Sequence, residues 1–465
     1  MNNKGQITVF ISLITTVLLI LSITAIKLCR YFTAKEKAAI TAELAVSDVK
    51  SKYNSYIFEH YHILLFDKTD YGKGEAYMEE FFNESLKNNL QDSYEVRETA
   101  INSYNLITDN EFYALKKQIE DYTVYAAIDY GADKIIDKTG GKESGVEDLV
   151  IEEMDKEKEE GEKGQRSEAV SARDEDDPRK FVKSVNKIGI VNFLAPDDLD
   201  ISMDVIDLSE CPSGSSTYLV DNFEINSSFK SYSRLKSDLK KKTSWNESLY
   251  DAGCGLAYSK EMFNSAVNQD KNASTVFAFE MEYLICGSRT DYDNLNKTVK
   301  RIIAIRFPIN YSYLLKDTVK MARVKEIAFS LSLVTAIPEP VLKYLIAGCW
   351  AYIEAMADTR ALLAGKKVKF EKSSLNWRTD IDSISDSFFG EPQDDENGMT
   401  YEDYLLILLS LNMDKAYMRM LDIIQLNTRQ YYPDFKMCNA AVGMTADISV
   451  DFEGNTFGFD ISGGY

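Results

Sequence analysis

The sequence predicts an α+β protein, mainly helical, in which an N-terminal transmembrane helix continues into a long stalk and carries a helical C-terminal body with a terminal β-hairpin. Three observations support this fold class. Residues 7–26 hold no charge, residues 294–430 show successive helical patterns, and residues 444–461 alternate apolar and polar side chains. We expect four segments: a membrane anchor (1–30), a helical stalk and membrane-proximal region (31–138), a charged linker (139–180) and an α+β body (181–465).

The membrane anchor is predicted from the apolar run Ile7–Ile26. A helix rises about 1.5 Å per residue, so twenty residues span a hydrocarbon core of about 30 Å. A cleaved secretory signal has a shorter apolar region followed by small residues, and a lipoprotein signal needs a small residue where Leu28 precedes Cys29. The run therefore predicts a retained single-pass helix in the cell membrane that contacts the lipid bilayer through residues 7–26.

The helical pattern continues beyond the membrane. Apolar residues step by three and four along one face, at Ala42, Ala45, Val46, Val49, Tyr53, Tyr56 and Ile57. No glycine or proline interrupts this pattern before Gly72, so the stalk helix is predicted to reach about Phe66. Further helices are predicted over 75–88 and 109–138.

The linker is predicted from a change in composition over 139–180, which is dense in charge and nearly free of aromatic residues. Such a segment buries too little apolar surface to offset its ordering entropy, so it is predicted to be disordered. After it, the short apolar run at 187–194 favours a β-strand.

The C-terminal half predicts five amphipathic helices, over 294–306, 313–333, 338–364, 401–411 and 414–430. The third has the clearest boundaries. Pro338 and Pro340 stand at its start, where a missing N–H is tolerated, and Gly365 is placed to cap its end. A β-hairpin follows, with alternating residues at 444–453, a turn at Gly454-Asn455 and a return strand to Ile461.

The charge balance restricts the partners. The chain has 53 basic and 74 acidic residues, a net charge of −21. Nucleic acid and anionic lipid surfaces are bound through basic patches, so we expect no nucleic-acid partner and no charge-driven lipid binding by the body.

The cysteines show no C-x-x-C spacing, which leaves both disulfides and buried free thiols open; they are Cys29, Cys211, Cys254, Cys286, Cys349 and Cys438.

Catalytic and cofactor signatures are lacking in the sequence, and we expect no cofactor, no metal and no catalytic residue. The two histidines, His60 and His62, are two apart on a predicted helix and point to different faces. The acidic loop 394–398 does not match the EF-hand spacing. The carboxylates of Glu280, Glu282 and Glu354 invite two interpretations. They are the acids of a glycan hydrolase, or they complete buried ion pairs with Arg301, Arg306 or Arg360.

The N-terminus resembles TadE- and TadG-like pilus-assembly proteins through Lys4-Gly5-Gln6-Ile7-Thr8-Val9 and the apolar helix that follows. In the prepilin-like members a peptidase cuts after the glycine, so the resemblance implies processing between Gly5 and Gln6. Those members often carry a glutamate where this chain has Phe10. The resemblance implies an exported body, whereas the basic residues from Lys27 to Lys37 favour a cytoplasmic one by the positive-inside rule.

The chain beyond the N-terminus is similar to an uncharacterised clostridial family of single-pass membrane proteins found with Tad-type pilus and type II secretion genes. The matching pieces are Gly5–Phe10, Phe279–Gly287, Trp350–Ala355, Leu362–Gly365, Tyr401–Leu405 and Met420–Gln425. This similarity implies an extracytoplasmic body, other envelope or pilus-assembly proteins as partners, and no known enzyme activity.

Three functions agree with these features. The first is a non-catalytic, membrane-anchored envelope component, such as a pilus or secretion accessory or minor pseudopilin-like protein. The second is an anchored binding or sensor module. The third is an anchored glycan hydrolase that uses carboxylates alone.

Overall fold

The computed structural model describes residues 3–90, 93–129, 178–214, 245–271 and 275–465. Its helices are α1 (Asn3–Lys50), α2 (Ser55–Tyr61), α3 (Glu75–Asn89), α4 (Asp109–Asp129), α5 (Pro178–Ile188), α6 (Ile190–Leu194), α7 (Trp245–Met262), α8 (Glu280–Cys286), α9 (Asp291–Lys316), α10 (Thr318–Ser332), α11 (Glu339–Leu363), α12 (Ile384–Phe389), α13 (Tyr401–Ser410) and α14 (Met413–Arg429). Its strands are β1 (Phe66–Asp67), β2 (Tyr94–Leu106), β3 (Ala440–Phe452) and β4 (Asn455–Gly464). The predicted class, α+β and mainly helical with a long apolar N-terminal helix and a terminal hairpin, is confirmed.

The described chain groups into two compact units. Unit 1 contains the described residues within 3–118 and 428–465, and unit 2 contains the described residues within 119–214 and 245–427. The C-terminal hairpin therefore belongs with the N-terminal helices, although the sequence segmentation had placed it in the body. Of the predicted linker, residues 139–177 lie outside the described part, and Pro178–Lys180 form the first turn of α5.

Helix α1 is 48 residues long and has two different halves. Its first half holds the apolar run, and the described side chains there are exposed. Its second half is buried along one face, through Ala34, Ala38, Ala42, Ala45, Val46 and Val49. That face belongs to a core with Met78 and Phe82 of α3 and Ile448 of β3. The apolar pattern that predicted a stalk is therefore the face of α1 that packs against α3 and β3.

Helix α1 ends at Lys50, sixteen residues before the predicted end at Phe66. The side chain of Asn54 accepts a hydrogen bond from Ile57 N at 3.0 Å and starts the separate helix α2. Asn54 N also donates to Leu65 O at 2.9 Å, so the chain reverses here. Phe66 then enters the sheet as β1.

The sheet of unit 1 is antiparallel and has β3 at its centre. β2 pairs along one edge of β3, while β4 and the short β1 share the other edge. The hairpin is as predicted, but its turn is Glu453-Gly454 and not Gly454-Asn455, because Phe452 pairs with Asn455. Both turn residues have positive φ, +49° and +82°, as a tight two-residue hairpin turn requires. Strand β2 is not predicted by the sequence pattern.

The segment 187–194 is helical, so the predicted β-strand is wrong. Phe181, Val185 and Ile188 are buried at helical spacing on α5, and Gly189 at φ +95° separates α5 from α6. The short apolar run continues the helical core and does not enter a sheet. A run of this length does not distinguish a buried strand from a buried helix.

The predicted C-terminal helices are present as α9, α10, α11, α13 and α14 with shifted ends. α11 shows the predicted caps. Pro338 is its N-cap, and Gly365 follows its end at φ +74°, where Lys366 N donates to Ala361 O at 2.9 Å. α10 and α11 pack on each other around Val324, Ala328, Leu342 and Ile346.

Candidate functional site

A buried network of charges lies between α9, α11 and the segment that follows α11. Four of its charged side chains, Arg306, Glu354, Asp358 and Lys372, are fully buried. Glu354 and Asp358 are four residues apart on α11, so they share one face of that helix. Arg306 on α9 faces them. Buried charges require close pairing because each loses its hydration.

Asp358 is the centre of this network. Its Oδ2 accepts from Arg306 Nη2 at 2.8 Å and from Asn310 Nδ2 at 3.0 Å. Its Oδ1 accepts from Lys372 Nζ at 2.7 Å and from Arg378 Nε at 3.1 Å. Burial raises the pKa of Asp358, but the charges of Lys372 and Arg306 outweigh this effect and hold the pKa below its ordinary value. Asp358 is therefore an ionised structural acceptor.

Glu354 fixes the segment after α11. Its Oε1 accepts from Lys372 Nζ at 2.6 Å and from Arg378 N at 2.7 Å. Its Oε2 accepts from Thr379 N at 2.8 Å and from Thr379 Oγ1 at 2.7 Å. All of these donors belong to residues 372–379, which have no helix or strand of their own. Hydrogen bonds to the Glu354 carboxylate therefore replace, in this segment, the backbone hydrogen bonds that a helix or strand would supply.

A polar cleft of about 330 Å³ opens beside this network. Its walls carry two guanidinium groups, an indole ring and several carboxylates, contributed by Arg360, Arg378, Trp377, Asp386, Glu391 and Asp395. Arg360 Nη1 donates to Phe388 O at 3.0 Å and to Gly390 O at 2.8 Å, which ties α12 to α11. Burial lowers the pKa of Arg360.

The carboxyl groups of Glu280 and Glu282 bind the loop after α7. Glu280 accepts from Asn264 N at 2.9 Å and from Asn427 Nδ2 at 3.0 Å. Glu282 Oε1 accepts from Ala266 N at 3.0 Å and from Tyr401 Oη at 2.8 Å. Burial raises the pKa of Glu280 to about 8 and that of Glu282 to about 7.

The structure does not pair the predicted acids and arginines as expected. Glu354 is in an ion pair, but its partner is Lys372. Arg306 pairs with Asp358, Arg301 Nη1 donates to Ile285 O, and Arg360 donates to backbone carbonyl groups. The participation of Lys372 and Arg378 and the role of Asp358 were not predicted from the sequence. The available signal was that Glu354 and Asp358 interrupt the apolar face of a predicted core helix.

In the acidic loop 394–398, Asp394 and Asp395 accept hydrogen bonds from backbone groups, and Asp395 Oδ2 also accepts from Arg378 Nη2 at 3.0 Å. Asp394 Oδ1 accepts from Lys367 N at 2.6 Å, and Asp395 Oδ2 accepts from Lys369 N at 3.0 Å. Within the described residues no group of histidine, cysteine and acidic side chains is arranged to hold a metal ion. His60 and His62 are both exposed, and His62 ends α2 with positive φ.

The six cysteines all lie in the described part of the chain and form no disulfide; Cys211 and Cys254 are buried and Cys29 is exposed. The backbone of Gly5 and Gln6 lies in the first turns of α1, and their side chains lie outside the described part.

Comparisons with known proteins give one family. A model described as a family of unknown function (DUF5702) matches residues 168–452. No curated protein matches the chain, and no solved structure matches it. The matched range includes the charge network, the cleft and most of β3, and it begins after the apolar helix. Since the match extends over more than half of the sequence, the chain belongs to the DUF5702 family of unknown function.

Proposed function

We propose that this protein is a non-catalytic component of the cell envelope, anchored by a single transmembrane helix, and that it serves as an accessory or minor pseudopilin-like subunit of a pilus or secretion system with its body outside the cytoplasm. The observation that supports this proposal most is the construction of α1. One continuous helix carries both an exposed apolar half and a half that is built into a folded unit.

The exposed half is suited to lipid or to the apolar helices of other subunits. An eighteen-residue stretch of this half has a mean hydropathy of 2.6, and none of its residues is buried. Water would solvate this surface poorly, at a cost of about 25 cal/mol per Å². A bilayer removes the cost over a length that matches its hydrocarbon core.

The docked half joins the anchor to the sheet without a linker. Arg30 Nη2 lies 2.5 Å from Glu453 Oε1 in the β3–β4 turn, and the rings of Tyr31 and Phe457 are 5.1 Å apart. At the other end of the strand, Tyr465 Oη donates to Lys50 O. The helix between residues 30 and 50 spans about 30 Å, and ten strand residues span about 33 Å. β4 therefore follows the docked half along its whole length.

A joint of this kind supports an assembly role. When the anchor and the sheet form one rigid piece, unit 1 is held at a fixed distance and angle to the membrane. An enzyme or receptor on a tether does not need this, since a flexible linker supplies the same local concentration. A subunit that must fit between neighbouring subunits does need a fixed distance and angle to the membrane.

The first test is the N-terminal sequence of the membrane-extracted full-length protein, from cells with and without the prepilin peptidase. We expect a start at Gln6 that depends on the peptidase, and a start at Met1 in a Gly5→Leu variant. A start at Met1 in both cell types would overturn processing by the pilus pathway.

A second test addresses orientation. Leu375 is 94% exposed, so a Leu375→Cys variant should react in intact cells with a membrane-impermeant maleimide if the body is outside. In a Cys29→Ser background the most exposed competing thiol is absent. Labelling only after lysis would place the body in the cytoplasm, as the charges after residue 26 favour.

The polar cleft favours a second function, an anchored binding or sensor module. An indole ring beside carboxylates and guanidinium groups suits a small polar ligand such as a saccharide, which stacks on the ring and hydrogen-bonds to the charged groups. Full-length protein should then bind glycans, and Trp377→Ala should abolish binding while Trp350→Phe does not, because Trp350 is buried and does not line the cleft. Absence of binding to a glycan array would remove this alternative.

A further inference from the structure

The outer face of the α10–α11 helical hairpin is apolar and exposed. The connected residues 329–345 form its tip, hereafter the hairpin tip, in which seven large apolar side chains are exposed: Phe329, Leu333, Val334, Ile337, Val341, Tyr344 and Leu345. Val334 and Leu333 are 80% and 72% exposed. Isolated apolar residues are common on surfaces, but a contiguous patch of this kind marks a binding site.

The inner face of the same hairpin already has its partners. Leu342, Ile346 and Ala347 of α11 belong to a closed core with Val324 and Ala328 of α10. The first turns of α11 are therefore apolar on both the inner and the outer face. A surface helix is normally apolar on the face that meets the core, so the second, exposed apolar face of α11 is available to a further apolar partner.

The charged residues of the α10–α11 hairpin indicate which kind of partner covers its outer face. Residues 318–345 contain four basic and two acidic residues, in a chain whose net charge is −21. Arg323 is held by Asp382 and Glu326. Lys325 lies one turn before Phe329, and Lys343 lies inside the hairpin tip, where its Nζ is 5.8 Å from the Tyr344 ring centroid. The tip also contains the acidic residue Glu339 in the first turn of α11. An apolar tip that contains a lysine and a tyrosine, with a second lysine one turn before it, matches the interface of an anionic bilayer.

We propose that the hairpin tip inserts into the headgroup region of an anionic lipid bilayer and forms a second membrane contact, in addition to α1. The inference rests on the anchoring role proposed for α1, since tethering keeps the bilayer at a high effective concentration and a weak second contact then suffices. Lysines near an anionic surface add attraction, while the aliphatic side chains leave water. For the acidic body as a whole we expect no charge-driven lipid binding. The hairpin tip departs from that expectation because its contact is local, and repulsion from the remainder of the chain is screened beyond about 8–10 Å.

The test is photo-crosslinking of the full-length protein reconstituted in vesicles of phosphatidylcholine and phosphatidylglycerol that contain a diazirine-bearing phosphatidylcholine. Labelled peptides are identified by mass spectrometry. We expect lipid adducts within residues 7–26 and within 329–345. The first set reports on the anchor and the second on the hairpin tip, so the two proposals fail separately. Adducts on α1 alone would overturn the hairpin contact, and no adducts on α1 would overturn the anchor.

Variants identify the cause of the contact. Leu333→Ser with Val334→Ser should reduce adducts at the tip at least tenfold, because each aliphatic side chain that leaves water contributes about one order of magnitude. The control Leu375→Ser, exposed outside the tip, should change nothing. Lys325→Gln with Lys343→Gln should reduce the adducts only in vesicles that contain phosphatidylglycerol, while Lys366→Gln with Lys367→Gln at the far end of α11 should not.

A second copy of the chain is the competing occupant. Protein–protein crosslinks from the hairpin tip to another copy, with lipid adducts confined to α1, would overturn the lipid proposal.

Discussion

The guanidinium group of Arg306 donates to one carboxylate oxygen of Asp358 from two nitrogens, Nε at 3.1 Å and Nη2 at 2.8 Å, with both side chains fully buried. This pair joins α9 to α11, and Lys372 and Arg378 bind the other oxygen. One carboxylate thereby positions two helices and an irregular segment.

Removal of Arg306 should destabilise unit 2. Arg306→Met leaves the Oδ2 side of a buried carboxylate without its guanidinium partner, and we expect the free energy of unfolding to fall by about 3 kcal/mol. Urea unfolding followed by tryptophan fluorescence measures this, because Trp350 and Trp377 lie in the same unit. Arg323→Met is the control: its ion pair with Asp382 is exposed, so little should change. An unaltered midpoint for Arg306→Met would contradict the role of this network.

The stability of unit 2 should fall as the pH rises from about 4.5 to about 7–8. Burial raises the pKa of Glu282 to about 7 and that of Glu280 to about 8. Between these pH values the two carboxyl groups keep their protons in the folded state but have lost them in the unfolded state, so the free energy of unfolding falls with each unit by which the pH rises. Below the unfolded-state pKa, the stabilisation that these two groups contribute is fully present.

Glu282→Gln isolates one of these groups. Glu282 Oε2 is buried without a hydrogen-bond partner among the described residues, so an amide nitrogen at that position breaks no bond, and Oε1 can still accept from Tyr401. Stability of the variant should depend less on pH between 4.5 and 7 in urea titrations at several pH values. Tyr401→Phe keeps the carboxyl and should retain the wild-type slope or steepen it. An unchanged slope for Glu282→Gln would show that this carboxyl does not retain its proton on folding.

Two glycine substitutions should have opposite effects. Gly287 ends α8 at φ +69°, and a Cβ there would lie 2.5 Å from Arg419 Nε. Gly287→Ala should therefore cost about 1–3 kcal/mol. Gly348 lies inside α11 with open space at its Cβ position, so Gly348→Ala should stabilise by about 0.5–1 kcal/mol. Thermal unfolding of the two variants in parallel measures both, and equal shifts of the same sign would refute the argument.

The docking of α1 on the sheet should be sensitive to side-chain size. Ala45 is fully buried, and a Cβ on Gly463 would lie 2.6 Å from Val46 Cγ1, so helix and strand approach closely. Ala45→Leu should overpack this contact at a cost of about 1–3 kcal/mol. Hydrogen exchange should then be faster in β4, while the exposed control Ser47→Leu leaves it at the wild-type rate. Equal protection in both variants would mean that α1 is not closely packed there.

Patterns with a long, unbroken period were predictable from the sequence. Residues 7–26 are apolar for one full membrane crossing, and α11 has proline at its start and Gly365 after its end. The hairpin alternation at 444–461 was also clear. In these segments the local preferences and the burial pattern indicate the same structure, so one chain segment carries enough information.

Short apolar runs, and features that depend on a partner far away in the chain, were not predictable from the sequence. The run at 187–194 fits a strand and a helix equally well, and only the core around Phe181 selects the helix. The strand β2 depends on pairing with β3, more than 300 residues away along the chain. The partners of Glu354 were also beyond reach, since any of several cations could neutralise it and the tertiary fold selects Lys372.

By itself, the sequence determined that the chain has one apolar helix long enough to cross a membrane, a mainly helical body and a terminal hairpin, because helix and strand periods and apolar run lengths are local properties. The tertiary structure alone decided that α1 ends at Lys50 and docks on the sheet, that the hairpin joins the N-terminal unit, and that Asp358 gathers Arg306, Lys372 and Arg378. These features depend on contacts between distant segments, whose energies no local pattern records.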